Sequence, residues 1–178
     1  AFKLSGQRCV SAGRLIVQRG IYDKFAESFV SYAAQIHPGN PFVNDEPNLL
    51  VYMGPLINQQ GFDKAREYNN MVFNDDKGRY VDVLLAGCHL KGPGYFLTPT
   101  VYKAEWRDVP YLKQEVFGPH VAIIPFDTID DAIRIYNDTD YGLAVGVVTE
   151  NFKQARICRD RCDYGMCYWN GGSIAAES

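Results

Sequence analysis

The sequence has no long apolar run and no excess of basic charge. No segment approaches the roughly 20 apolar residues that span a bilayer, and no basic start followed by an apolar stretch marks a signal peptide. The 18 Lys and Arg residues stand against 21 Asp and Glu, for a net charge of −3, and the basic residues are scattered. Because nonspecific nucleic-acid binding needs clustered cations to neutralise phosphates, we expect neither a membrane nor a nucleic-acid partner.

A disulfide scaffold is also absent, because five cysteines in 178 residues are few and odd in number. They indicate a reducing, cytoplasmic compartment. Cys158 and Cys162, four residues apart, share one helix face and, with Cys167 or His89, make a set of metal-binding residue types. Zinc sites favour tight Cys-x-x-Cys pairs, so we expect core-facing thiols and no metal site.

A glycine-rich loop that would hold a phosphate group is missing too. Gly92-Pro93-Gly94 precedes a strand rather than a helix, and its proline removes an N–H that a phosphate cradle needs. The remaining composition, with 47% hydrophobic and 22% charged residues, is that of an ordinary globular protein. We therefore expect one domain over residues 1–178 with a sizeable core.

Strand-like and helix-like segments alternate along the chain. A strand over 14–18 is followed by a helix over 21–36, with a helix-spaced apolar stripe that includes Phe25, Phe29 and Tyr32. A loop over 38–55, a helix over 58–73 and a strand over 81–86 complete the N-terminal half.

The C-terminal half predicts strands over 121–126, 143–148 and 166–169, with helices between them. Thr128, with Asp131 three residues later, is a plausible cap for the first of these helices. Strands joined by helices imply right-handed crossovers and parallel pairing. The expected fold class is α/β, a three-layer αβα sandwich with a mainly parallel sheet.

Cys9, in the segment Gly6-Gln7-Arg8-Cys9, is the strongest candidate for covalent chemistry. We expect it in a loop that enters a helical turn, where unpaired N–H groups and the helix dipole favour the nucleophilic thiolate. Arg8 and Arg14 would act in the same direction. The alternative is that Cys9 is a small buried apolar residue, as free cysteines usually are.

Six segments of the chain carry distinctive motifs. In addition to the segment of Cys9, they are Met53-Gly54-Pro55-Leu56-Ile57, Gly94-Tyr95-Phe96-Leu97-Thr98-Pro99-Thr100-Val101, Gln114-Glu115-Val116-Phe117-Gly118-Pro119, Tyr141-Gly142-Leu143-Ala144 and Gly165-Met166-Cys167-Tyr168-Trp169-Asn170. Taken in order, the six resemble landmarks of the aldehyde dehydrogenase superfamily. The segment of Cys9 is similar to that family's active-site cysteine motif, and the segment of Glu115 is similar to its Glu-x-Phe-Gly-Pro cofactor motif.

The resemblance implies an oxidoreductase that converts an aldehyde to a carboxylate with NAD or NADP. It implies that Cys9 is the nucleophile, that Glu115 binds the nicotinamide ribose hydroxyls and that Phe117 packs near the nicotinamide. Asn170 either supports the substrate or nicotinamide end or satisfies a turn. Without the resemblance, Glu115 would be a solvated loop charge and Phe117 a core residue. His120, read as a loop or partly buried histidine, departs from the family's small apolar residue.

The resemblance also implies what this chain does not supply. In the family, a cofactor-binding domain precedes the cysteine and carries the water-activating glutamate and an oxyanion-binding asparagine, and an oligomerisation strand follows the catalytic domain. We therefore expect a catalytic domain, inactive by itself, from a homo-oligomeric protein. The alternatives are an acyl-phosphate or acyl-thioester reductase of the same superfamily, and a remnant domain that binds without turnover.

Overall fold

The structure, a computed structural model, describes residues 1–40, 42, 51–75 and 80–171, so the loop predicted over 38–55 lies partly outside the described residues. The elements are β1 (Arg14–Gln18), α1 (Tyr22–Ala33), α2 (Gln59–Asp75), β2 (Val81–Leu85), β3 (Thr100–Ala104), α3 (Pro110–Lys113), β4 (His120–Phe126), α4 (Ile129–Asn137), β5 (Ala144–Val147), α5 (Phe152–Arg161) and β6 (Met166–Trp169).

Most strand pairs are parallel, which confirms the predicted fold class. One sheet has the order β1-β4-β3-β2, in which β4 pairs in parallel with β1 and β3, and β2 is antiparallel to β3. A second sheet consists of the parallel pair β5 and β6.

The three strands predicted in the C-terminal half form as expected but divide between the two sheets. The reason is that both edges of β4 are already hydrogen-bonded, one to β1 and the other to β3. The next strand along the chain, β5, therefore pairs with β6 instead. The helix between β4 and β5 begins at the predicted cap, where the Thr128 hydroxyl accepts a hydrogen bond from the Asp131 N–H.

Helices cover both faces of the four-stranded sheet and so make three layers. Successive residues of β4 point to opposite faces. Val121 and Ile123 pack in a cluster with α1, while Ala122 and Ile124 pack in another with α2, α3 and α4. Both edges of this central strand and both its faces are thus buried.

The apolar stripe predicted for α1 was wrong at one position. Tyr22, Ala26 and Ala33 are buried, whereas Tyr32 is 75% exposed. Tyr32 immediately precedes Ala33 and therefore lies about 100° around the helix from the buried line.

Candidate active site

Cys9 lies in an exposed turn rather than at a helix start. The turn is closed by the Ser11 N–H, which donates to the Arg8 carbonyl at 2.9 Å. The prediction of a following helical turn was wrong because the Gly13 carbonyl already accepts from Ala122 of β4, which holds the chain extended into β1. A buried apolar role is equally excluded, since the thiol is exposed.

The backbone around Cys9 leaves one donor available. Within the described residues, neither the Cys9 thiol nor its backbone N–H has a hydrogen-bond partner. An unpaired N–H beside a thiol is the arrangement that stabilises an oxyanion formed when the sulfur attacks a carbonyl. The turn thus provides one such donor without a helix N-terminus.

The segment just before Cys9 has a left-handed backbone. Leu4, Ser5 and Gly6 have φ angles of 51°, 58° and 72°. This conformation brings Gly6 against the Gly118 backbone so closely that a Cβ on Gly6 would lie 2.1 Å from the Gly118 carbonyl oxygen. The cysteine segment and the Glu115–Pro119 segment, 112 residues apart at these glycines, therefore touch.

A third landmark is hydrogen-bonded to the same place. The Ser5 hydroxyl donates to the Gly54 carbonyl at 2.6 Å, and the Gln7 side chain accepts from the Ile57 N–H at 2.8 Å. The segment 94–101 joins them, because the Thr100 N–H donates to the Pro119 carbonyl and the Leu56 N–H to the Tyr95 carbonyl. Four of the six landmarks thus form one connected group.

Replacement of Gly6 by alanine is expected to disrupt this group. The added methyl has no room against Gly118, and the left-handed φ is strained for alanine, so we expect a loss of on the order of 2–3 kcal/mol in the free energy of unfolding. Gly13→Ala is the matched control, because no atom lies within 4 Å of a Cβ at Gly13. Urea unfolding of both variants tests this, and equal stability of the two would contradict the close Gly6–Gly118 contact.

The Glu115–Pro119 segment connects α3 to β4 and presents Phe117 to solvent. Phe117 is 41% exposed and has a φ of 58°, so it is not a core residue. Lys64 of α2 donates to the Glu115 carbonyl at 2.8 Å. The half-buried Glu115 carboxylate has no hydrogen bond or ion pair to any residue that the structure describes, which leaves both oxygens available to accept.

Asn170 belongs to a second group, formed by the two C-terminal landmarks. Gly165 donates to the Gly142 carbonyl, and Met166 to the Leu143 carbonyl. The Asn170 side chain accepts from the Thr149 N–H at 2.9 Å and donates to the Thr149 carbonyl at 3.0 Å. Both hydrogen bonds of its amide are thus made to backbone, as in the turn alternative, and within the described ranges its amide forms no hydrogen bond with Cys9 or Glu115.

Backbone strain concentrates in the landmark segments. Among the described residues, the non-glycine residues with positive φ are Leu4, Ser5, Phe117 and Asn170. Each such conformation costs on the order of 1–3 kcal/mol and persists only where its surroundings enforce it. All four lie in or directly before the segments that carry Cys9, Glu115 and Asn170.

His120 is more deeply placed than the sequence indicated. It is 5% exposed at the start of β4, with Nδ1 2.8 Å from Asn69 Oδ1 and Nε2 3.0 Å from the Tyr102 hydroxyl. Burial lowers the pKa of His120 to about 4, so the ring is neutral at pH 7. The sequence signal was its position, directly before the apolar strand residues 121–126.

The described residues also bear on metal binding and on membrane insertion. Among the residues that the structure describes, no three His, Cys, Asp or Glu side chains converge where a metal ion would bind. None of the helices in the described ranges combines the length and apolar character needed to cross a bilayer.

Comparisons with known proteins agree with these landmarks. The sequence profile of the aldehyde dehydrogenase family matches residues 1–178. Mitochondrial succinate-semialdehyde dehydrogenase of Oryza sativa subsp. japonica and 1-pyrroline-5-carboxylate dehydrogenase of Staphylococcus haemolyticus are each 34% identical over 176 residues, 99% of this chain. The chain spans 32% of the length of each of these relatives, about a third.

Solved structures show the same fold. Lactaldehyde dehydrogenase from Escherichia coli matches 96% of this chain and 34% of its own, with a TM-score of 0.85 and 31% identity. Betaine aldehyde dehydrogenase from Staphylococcus aureus, solved in complex with NAD+, matches 94% of this chain and 32% of its own, with a TM-score of 0.81 and 28% identity. The chain has the α/β fold that these structures share. It belongs to the aldehyde dehydrogenase family, which confirms the resemblance.

Proposed function

We propose that this chain is the catalytic domain of an NAD(P)-dependent aldehyde dehydrogenase, with Cys9 as the nucleophile. The observation that carries the proposal is the Gly6–Gly118 contact, which seats the Cys9 turn beside the segment of Glu115 and Phe117. A nucleophile and a cofactor-binding carboxylate separated widely in sequence are thereby held on one connected set of loops.

In the proposed reaction, the Cys9 sulfur attacks the aldehyde carbon and forms a thiohemiacetal. The unpaired Cys9 N–H is placed to donate to the developing oxyanion. Loss of hydride from the same carbon leaves a thioester on Cys9, which water hydrolyses to release the carboxylate and restore the thiol. The hydrolytic step needs a base, and none of the described side chains forms a hydrogen bond with the exposed Cys9 sulfur.

The described residues fit one end of a nicotinamide cofactor. NAD or NADP, when bound, supplies the hydride acceptor. The unpaired carboxylate of Glu115 suits a vicinal diol, since each oxygen can accept one O–H. Phe117, strained and exposed, offers an aromatic face beside it. We assign Asn170 the supporting role of holding the end of β6 through Thr149.

Two other functions are distinguished by chemistry rather than by fold. An acyl-phosphate or acyl-thioester reductase would use the same cysteine without a water-activating glutamate, and a remnant domain would have no reactive thiol. The names of the relatives given above refer to different substrates, so we propose an aldehyde of unspecified class. A cytoplasmic location and a homo-oligomeric full-length protein are likewise proposals, from the cysteine content and the family resemblance.

Selective alkylation tests the role of Cys9. Cys9 and Cys88 are both exposed, but the Cys88 sulfur accepts a hydrogen bond from the Thr98 hydroxyl at 3.6 Å, whereas Cys9 has no such partner. We expect substoichiometric iodoacetamide on the folded chain to label Cys9 ahead of Cys88, Cys158, Cys162 and Cys167, as mapped by mass spectrometry. Cys88→Ser is the matched control and should keep the rapid alkylation of one thiol. Cys9→Ser should lose it. Preferential labelling at any other thiol would refute the assignment.

A further inference from the structure

Three of the five cysteines lie together, away from Cys9, where α5 meets the second sheet. Cys158 is in the last turns of α5, Cys162 caps its C-terminal end, and Cys167 is in β6. All three are half-buried. Cys158 and Cys162 are one helical turn apart, close enough for each thiol to influence the ionisation of the other, and the Cys167 thiol is close enough to influence both.

The backbone at the end of α5 suits a covalent link between the first two thiols. Residues four apart in a helix have Cα atoms about 6 Å apart along the axis. Disulfides span Cα separations of roughly 4.4–6.8 Å. The Cys162 N–H closes the helix on the Cys158 carbonyl at 2.9 Å, while Cys162 itself has non-helical angles of φ −80° and ψ 141°. Cys162 can therefore adjust without breaking a helical turn.

The surroundings keep both thiols protonated at neutral pH. Burial, reinforced by the neighbouring thiols, raises the pKa of Cys162 to about 12. Burial also raises the pKa of Cys158. Because the thiolate is the reactive form, these two cysteines resist monofunctional reagents at pH 7 and gain reactivity as the pH rises.

We propose that Cys158 and Cys162 form a dithiol modification site, which a low-molecular-weight disulfide oxidises to an intramolecular disulfide. One thiolate attacks the oxidant, forming a mixed disulfide and releasing one thiol. The second protein thiolate then displaces the other half of the oxidant. Two protein thiols are oxidised and the reagent disulfide is reduced to two thiols, which take up the two protons that the protein thiols lose. This site is independent of the function proposed for Cys9.

The test is oxidation of the folded chain by glutathione disulfide, followed by trypsin digestion without reduction. Cleavage after Arg156, Arg159 and Arg161 separates Cys158, in peptide 157–159, from Cys162 and Cys167, both in peptide 162–178. We expect these two peptides to be linked, with the rate of linking rising about tenfold per pH unit between pH 7 and 8.5.

Single variants identify the partners in the link. Cys167→Ser and the exposed-thiol control Cys88→Ser are expected to keep the linked peptides, and Cys158→Ser and Cys162→Ser to lose them completely. Linking that persists in Cys162→Ser would show that Cys167 is the partner and would overturn the proposal. The proposal would also be overturned if glutathione remained bound as mixed disulfides, or if only Cys9 and Cys88 were oxidised.

Discussion

Residues 1–178 by themselves are expected to give no measurable aldehyde-dependent reduction of NAD and to bind NAD weakly. Within the described residues, the donor proposed for the oxyanion at Cys9 is its own N–H, and no carboxylate or imidazole forms a hydrogen bond with its sulfur. Loss of one oxyanion donor costs on the order of 10²–10³ in turnover. Loss of a general base costs roughly 10²–10⁴. Glu115 and Phe117 would hold only the nicotinamide-ribose end of the cofactor.

A steady-state assay with several short aldehydes and calorimetry with NAD measure the two quantities directly. The control for contaminating activity is Cys9→Ala, which should match the unmodified chain. Aldehyde oxidation that disappears in Cys9→Ala would show that the chain supplies a complete active site, and tight NAD binding would show a full cofactor site. Either result would contradict the proposal that this chain supplies only part of the active site and of the cofactor site.

Acidification is expected to destabilise the chain through His120. In the unfolded chain a histidine has a pKa of about 6.5. Burial lowers the pKa of His120 to about 4 in the fold. The unfolded state therefore binds the proton more readily, so the stability from neutral His120 is fully present above pH 6.5. It is lost as the pH falls from 6.5 to 4, by about 1.4 kcal/mol at pH 5.5 and about 3 kcal/mol below pH 4.

Urea unfolding at pH 7.5 and 5.5 tests this, since most carboxylates titrate below that range. His120→Leu should be less stable at pH 7.5, because Asn69 and Tyr102 lose a buried partner, by about 1–3 kcal/mol. The same variant should also lose most of the decline in stability between the two pH values. An unchanged decline in His120→Leu would show that another group causes it.

Several features of the fold were predictable because they depend on local sequence. The Thr128 cap needs only a hydroxyl three residues before the Asp131 N–H, and it forms as predicted. The strand segments over 121–126 and 166–169 follow from short apolar runs between turns. Strand partners were less predictable. Whether β5 joins β4 or β6 depends on which edges are occupied, and no local pattern records that.

The candidate site was also predicted only in part from the sequence. The order of the landmarks identified the family to which the chain belongs and predicted Cys9, Glu115, Phe117 and Asn170 as site residues. It misplaced Cys9 at a helix start, because the extended backbone there results from pairing with β4, far along the chain. It also did not show that the Asn170 amide is engaged by Thr149.

The sequence by itself determined the family, the fold class and the residue types available for chemistry, since these follow from motif order and the periodicity of apolar residues. Only the tertiary structure decided which motifs meet. Gly6 and Gly118 approach one another because neither has a side chain and the backbone at Gly6 is left-handed. It also decided that His120 is buried among Asn69 and Tyr102. Contacts between distant segments depend on packing and strand pairing, which local sequence patterns do not specify.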